Sequence, residues 1–444
     1  MLTTLLLSAF LGLAQQPVLP DVEEGVKGYV PSAQVVAAKE QFRDDKFGVF
    51  IHWGVYSMLA QGEWVMYNEK VPYEVYSTYP GGFYPSRFDA RQWVRQIKAS
   101  GAKYITITSR HHDGFSMFAT KASPYNVVEA TPWHRDPIKE LAEACHAEGI
   151  GLNFYYSILD WGRDDYPRGD GNPKADYAHY LDFMCEQITE LLTNYGPIGC
   201  IWFDGDWAKI KKPAEGQELK VDFDWGYERI YNLIHSLQPS CLVANNHHRI
   251  PIPGEDIQIF ERDIPGENES GYSRTSHVSQ DLALETCKTL NDNWGYNLRD
   301  PKWKTVPELL RTLVNIAGRN ANLLLNVGPG PDGTIPAGSV ERLSAMGEWM
   351  AVNGETIYGT RATMLKPQPW GVLTHKEGKI FLHVLEMPQD GAITLPFPLK
   401  VKKGKVKAFA GGTPLPFKKG KTDFTVQVPA DADCSIDYII EIDL

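Results

Sequence analysis

Two acidic residues stand where a carboxylate can react. Asp204 lies in Ile201-Trp-Phe-Asp-Gly-Asp-Trp207, directly after an apolar run and before a glycine that lets the chain turn. A carboxylate held at the rigid end of a strand between aromatic residues is oriented and partly desolvated, as a nucleophile requires. The same placement also suits an aspartate that only accepts loop amides. Glu261 follows Ile257-Gln-Ile-Phe260 and takes a similar position two strands further along. Desolvation beside Phe260 raises a carboxyl toward the range a general acid needs near neutral pH. Alone, Glu261 reads as a salt-bridge partner of Arg249 or Arg262; paired with Asp204, it fits the two-carboxylate chemistry of glycoside hydrolysis.

The histidines raise a metal alternative. His111-His112 and His247-His248 are adjacent pairs, and no HxH or HExxH spacing aims two imidazoles at one ion, so no metal is expected. Neutral imidazoles and tyrosines suit the hydroxyls of a polyhydroxylated ligand better. Of the 12 tryptophans, Trp53, Trp64, Trp202, Trp207 and Trp294 fall near strand ends, where an indole can pack on the C–H face of a sugar or simply fill the core. Gly328-Pro-Gly-Pro-Asp-Gly333 lacks the Lys-Ser/Thr of a phosphate loop and the spacing of a dinucleotide fingerprint, so it is a turn and implies no nucleotide cofactor.

These residues need a scaffold that brings strand ends together. Short apolar runs alternating with helical patterns predict strands at 48–53, 104–109, 151–156, 200–203, 241–244, 257–260, 293–296 and 322–326. Helices are expected at 90–100, 137–148, 175–195, 227–237, 306–317 and 338–353. Eight strands make the fold class α/β, an irregular (β/α)8-like barrel. The gap between the fifth and sixth strands is too short for a normal helix. In such barrels the site lies at the carboxyl ends of the strands. There the chain carries His52-Trp53, His111-His112-Asp113, Tyr155-Tyr156, Asp204, Asn245-Asn-His-His248, Glu261, Trp294 and Asn326.

Composition bounds the rest. With 44 Lys and Arg against 55 Asp and Glu, the 444-residue chain has a formal charge of −11, which argues against nucleic acid and anionic membrane surfaces. Six cysteines without a CxxC pair give no disulfide scaffold. The apolar stretch Met1–Ala14, with Gly12 and Ala14 as small residues before Gln15-Gln16, predicts a signal peptide at 1–14. No cysteine follows the cut, so the expectation is an exported, periplasmic or extracellular protein without membrane insertion. The barrel is expected over 15–356. From 357 to 444 the texture becomes short alternating segments such as Lys379–Val384 and Phe424–Val428, which predict an antiparallel β-sandwich.

Seven segments together resemble the alpha-L-fucosidases of glycoside hydrolase family 29. They are Phe47-Gly-Val-Phe-Ile-His-Trp-Gly54, Gly62-Glu-Trp64, Tyr104-Ile-Thr-Ile-Thr-Ser-Arg-His-His-Asp-Gly-Phe115, Phe154-Tyr-Tyr-Ser157, Trp202-Phe-Asp204, Asn293-Trp-Gly-Tyr296 and Asn322-Leu-Leu-Leu-Asn-Val-Gly-Pro329. The resemblance implies a barrel followed by a β-sandwich, and cleavage of terminal L-fucose from fucosylated glycans with retention and no metal or other cofactor. It implies Asp204 as nucleophile, with His52, Glu63, Trp64, His111, His112, Tyr155 and Trp202 holding the sugar. Glu261 is the chosen acid/base, Glu267 and Glu269 are loop alternatives, and Glu285 resembles a structural or outer glutamate of the family. Arg249, in Asn245-Asn-His-His-Arg249, is carried as a further binding residue although that run departs from the family pattern. A retaining pair implies carboxyl groups about 5–5.5 Å apart, against about 6.5–9.5 Å for an inverting pair. The competing readings are a fucose-binding protein of the same fold without catalysis and a metal-dependent barrel hydrolase.

Overall fold

The computed structural model describes residues 28–167, 172–206, 223–401 and 405–444. The predicted signal peptide lies outside these residues. Eight parallel strands form the first sheet: β1 (Phe47–Ile51), β2 (Tyr104–Arg110), β3 (Gly151–Ser157), β4 (Cys200–Asp204), β5 (Leu242–Asn245), β6 (Ile257–Glu261), β7 (Ala283–Thr289) and β8 (Ala321–Val327). They pair in chain order, and β8 returns to β1 with Phe47 opposite Leu323, closing a barrel. Nearly every strand residue is buried, as expected where helices cover the outside and side chains fill the inside.

The covering helices begin and end on local signals. Asp89 accepts the Gln92 amide at the start of Ala90–Ala99, and Asp136 accepts the Lys139 amide at the start of Pro137–Glu148, whose proline sits where no amide partner is needed. Gly149 ends that helix in the left-handed region at φ 65°. Helices Tyr177–Asn194, Tyr227–Leu237, Val306–Ala317 and Ala337–Asn353 follow the expected segments closely. No helix crosses from β5 to β6 or from β6 to β7. The short β5–β6 crossing buries polar groups instead and pairs them: His247 meets Glu255 at 2.9 Å, and Asp256 accepts the Val243 amide at 3.0 Å.

Two features differ from the sequence reading. The seventh strand is Ala283–Thr289, and Asn293–Tyr296 is the loop beyond it. The strand was hidden because Glu285 and Lys288 interrupt its apolar pattern, while the Asn-Trp-Gly-Tyr run has aromatic strand-like texture. In addition, a helix at Ala33–Asp45 precedes β1 and closes the amino-terminal end of the barrel. Its Phe42 ring packs on Tyr104 at 5.2 Å, and its Phe42 carbonyl accepts Asn322 Nδ2 at 2.6 Å.

Beyond Thr356 the chain forms two antiparallel sheets. One orders β13 (Val406–Ala408), β16 (Tyr438–Asp443), β11 (Lys379–Val384), β10 (Gly371–Lys376) and β9 (Arg361–Ala362). The other orders β12 (Ala392–Leu395), β15 (Phe424–Gln427) and β14 (Phe417–Lys419). Their inner faces share one apolar core, with Leu382, Ile440 and Ile442 from the first and Ile393, Phe424 and Val426 from the second. Arg311, on helix Val306–Ala317, ties these sheets to the barrel by donating to the Leu385 and Cys434 carbonyls at 2.7 and 3.0 Å. No described helix is long and apolar enough to cross a membrane.

Candidate active site

Asp204 is the last residue of β4 and Glu261 the last residue of β6. Between them, Asn246 follows the end of β5, and its Nδ2 donates to both: to Asp204 Oδ1 at 3.3 Å and to Glu261 Oε2 at 2.8 Å. Two oxygens held on one nitrogen at those lengths lie no farther apart than about 6 Å, close enough for both carboxyl groups to reach the two sides of one glycosidic bond. Strands β4 and β6, one on each side of β5, thus bring 204 and 261 into one cup.

Asp204 is buried and accepts Tyr155 Oη at 2.9 Å on its second oxygen. Burial and the Glu261 charge beside it push its carboxyl well above the usual range, while Tyr155, Asn246 and the Gly205 amide pull it back. Burial also raises Glu261, with Asn246 opposing. Two carboxyls that repel through a desolvated space titrate as a pair and hold one proton between them. Asp204 is pushed up further than Glu261, but its donors, Tyr155 Oη, Asn246 Nδ2 and the Gly205 amide, favour its ionised form, the form in which a carboxylate can attack.

Three histidines line the same cup as neutral rings. Burial lowers His52 and His112 to about 3 and His111 well below its usual value. His52 Nδ1 donates to Asn326 Oδ1 at 2.6 Å, so its Nε2 is an acceptor. Ser157 Oγ gives its proton to the Leu159 carbonyl at 2.6 Å and meets His112 Nδ1 at 2.7 Å, so Nδ1 carries the ring proton. His112 Nε2, an acceptor, then faces Asp204 Oδ2 at 3.7 Å. Imidazoles fixed in this way accept hydroxyl protons and add no charge. His111 lies flat on Tyr155 with ring centroids 5.4 Å apart, and its buried Nδ1 has no protein partner.

The loops complete the wall. Glu63 is buried and accepts the Gly295 amide at 2.7 Å, and burial raises its carboxyl. Trp64 packs edge-on against His112 at 5.3 Å. Trp294 reaches the site from the loop after β7 and tilts over His52 at 5.3 Å; its carbonyl accepts Asn326 Nδ2 at 2.7 Å. Gly295 is required here, because a Cβ would fall 2.8 Å from the Glu63 nitrogen.

Other expected residues are placed elsewhere. Trp202 forms the layer beneath the cup, stacked under Tyr155 at 5.5 Å, and donates Nε1–H to Glu285 Oε1 at 3.0 Å. Glu285 lies inside the barrel, also accepts Tyr104 Oη at 2.6 Å, and is raised by burial to about 7. Arg249 turns from Asp204 to an ion pair with Asp206, which also accepts Tyr227 Oη at 2.7 Å. Glu267 pairs with Arg319 at 2.6 Å, and Glu269 is exposed on the same loop. No cluster of three His, Cys, Asp or Glu side chains suited to a metal occurs among the described residues. Asn246 was not singled out from sequence; its only signal was a polar run immediately after an apolar strand.

The alpha-L-fucosidase family profile matches residues 21–355. The chain belongs to the alpha-L-fucosidase family, and so to the glycoside hydrolases. It is 30% identical over 428 residues to the tissue alpha-L-fucosidase of Bos taurus, covering 88% of this chain and 85% of that one. It is 26% identical to the Dictyostelium discoideum alpha-L-fucosidase, over 87% of this chain and 88% of that one. Alpha-L-fucosidase isoenzyme 1 from Paenibacillus thiaminolyticus superposes with a TM-score of 0.77 at 34% identity, covering 93% of this chain and 99% of the other. An alpha-L-fucosidase from Bacteroides thetaiotaomicron, described as a trapped covalent intermediate in a Glu-to-Gln mutant, superposes at 0.80 with 25% identity, covering 95% and 99%. These fucosidase relatives span the barrel and the sheets after it, so the family assignment covers both parts of this fold.

Proposed function

We propose that the protein is a retaining, exo-acting alpha-L-fucosidase that releases terminal L-fucose from fucosylated oligosaccharides or glycoconjugates, with Asp204 as nucleophile and Glu261 as acid/base. The observation that carries this reading is the single amide nitrogen of Asn246 held by both carboxylates. An Asp204 oxygen attacks the anomeric carbon, the bond to the leaving oxygen breaks, and Glu261 gives its proton to that oxygen. Glu261 then takes a proton from water; the water oxygen bonds to the anomeric carbon and the Asp204 carboxylate departs. The covalent intermediate trapped in the Bacteroides thetaiotaomicron relative supports the same two-step course. His52, His111, His112, Tyr155, Glu63 and Trp64 line the cup and would hold the fucose hydroxyls and ring. Arg249 would act through Asp206, and Trp202 by supporting Tyr155.

A fucose-binding protein without catalysis is not favoured, because binding alone needs no second carboxyl raised by burial beside the first. Incubation with an aryl α-L-fucoside, followed by NMR of the first-formed sugar, tests the assignment. Release of α-L-fucose is expected; β-L-fucose or no release would overturn it. The apolar first 14 residues support export to the periplasm or outside, and N-terminal sequencing of the mature protein should begin at Gln15.

A further inference from the structure

Two aromatic shelves flank the cup. On one side Tyr67, 62% exposed, stacks on Trp161 at 5.7 Å and meets Trp64 at 5.5 Å; Trp64 in turn packs on His112, the neighbour of Asp204. On the other, Tyr272, 45% exposed, stacks on His248 with centroids 5.9 Å apart and planes at 28°. His248 Nε2 lies 3.6 Å from Glu261 Oε2.

The second shelf is built. His248 adopts a left-handed backbone at φ 60°, and its carbonyl accepts the Arg274 amide at 2.9 Å. The Tyr272 loop is pinned on both sides. Ser270 donates its amide to Asp263 Oδ1 at 2.9 Å, and Asn268 exchanges two 3.0 Å bonds with Ser273. One face of Tyr272 covers His248 while the residue stays open to solvent.

The chemistry chooses between the shelves. Displacement at the anomeric carbon brings Asp204 to one side and the departing oxygen to the opposite side, within reach of the Glu261 proton. Whatever carries that oxygen therefore extends past Glu261 toward Tyr272 and away from Tyr67. We infer that Tyr272, backed by His248, is the platform for the leaving group, a pyranose ring directly attached to the fucose and stacked through its apolar C–H face.

This rests on the retaining fucosidase reading, and the test separates the two. It compares kcat/KM for α-L-fucosyl fluoride, which has no leaving ring, with kcat/KM for α-1,2-, α-1,3-, α-1,4- and α-1,6-linked fucosyl disaccharides. Tyr272→Ala should lower at least one disaccharide about tenfold relative to the fluoride, mainly through KM, and Tyr272→Phe should restore it. Tyr67→Ala should change the two substrate types in equal proportion. A constant ratio in Tyr272→Ala, a selective loss in Tyr67→Ala, or a wild type that cleaves the fluoride but no disaccharide would overturn the platform and leave the fucosidase reading standing. A wild type inactive on the fluoride would overturn both.

Discussion

Tyr155 gives its hydroxyl proton to Asp204 at 2.9 Å while its ring lies between His111 and Trp202, with interplanar angles of 13° and 25°. One side chain thus both aims the Asp204 carboxylate and forms part of the stacked floor. Tyr155→Phe keeps the stack and removes only the donor. Asp204, already raised by burial and by Glu261, then loses a group that favours its ionised form and rises further. The acid limb of kcat/KM should move to higher pH and kcat should fall about 10–100-fold, with little change in Tm. An acid limb that stays in place would remove Tyr155 from the control of Asp204.

Glu261 and Glu285 are both raised by burial, but only Glu261 faces the cup. Glu261→Ala should slow natural glycosides by at least about 10²-fold while sparing an activated aryl fucoside, whose leaving group needs little protonation. Equal damage to both substrates would transfer the acid role to another glutamate.

Asn246 touches the carboxylates of both Asp204 and Glu261, and its Oδ1 is buried without a protein partner. Asn246→Asp places a third carboxyl between two that already repel. The pair should hold its proton to higher pH, and the acid limb should climb by about one unit or more. Asn246→Ala, which adds no charge, should show a smaller shift in the same direction. Profiles that superpose on the wild type would mean that the amide does not control the pair.

Glu285 makes stability depend on pH. Its carboxyl is raised from 4.5 to about 7 in the folded chain, chiefly by burial. Below the unfolded value both states are protonated and its contribution is complete. As pH rises from about 4.5 through about 7, the unfolded chain ionises first and stability falls, by an amount on the order of 3 kcal/mol. Glu285→Gln retains an acceptor for Trp202 and cannot ionise, so its Tm should decline less between pH 5 and pH 7.5. Thermal melts across that window check this; parallel curves would refute it.

Much of the scaffold was legible in the chain because its signals are local. Apolar runs and helical periods marked seven of the strands and six covering helices, and the alternation beyond 357 marked the sheets. The seventh strand failed because its buried glutamate is satisfied by Tyr104 and Trp202, which lie 181 and 83 residues away. The helix Ala33–Asp45 carries only three buried residues, too sparse a stripe to announce itself.

The sequence by itself determined that carboxylates, imidazoles and indoles fall at strand ends, since a residue's place in an apolar run fixes which end it occupies. Only the tertiary structure decided which of them meet. Closing eight strands in register set Asn246 between Asp204 and Glu261, turned Arg249 to Asp206 and put Trp202 beneath the cup. Such convergence depends on strand register and side-chain direction across separations of 15 to 83 residues, which no local pattern encodes.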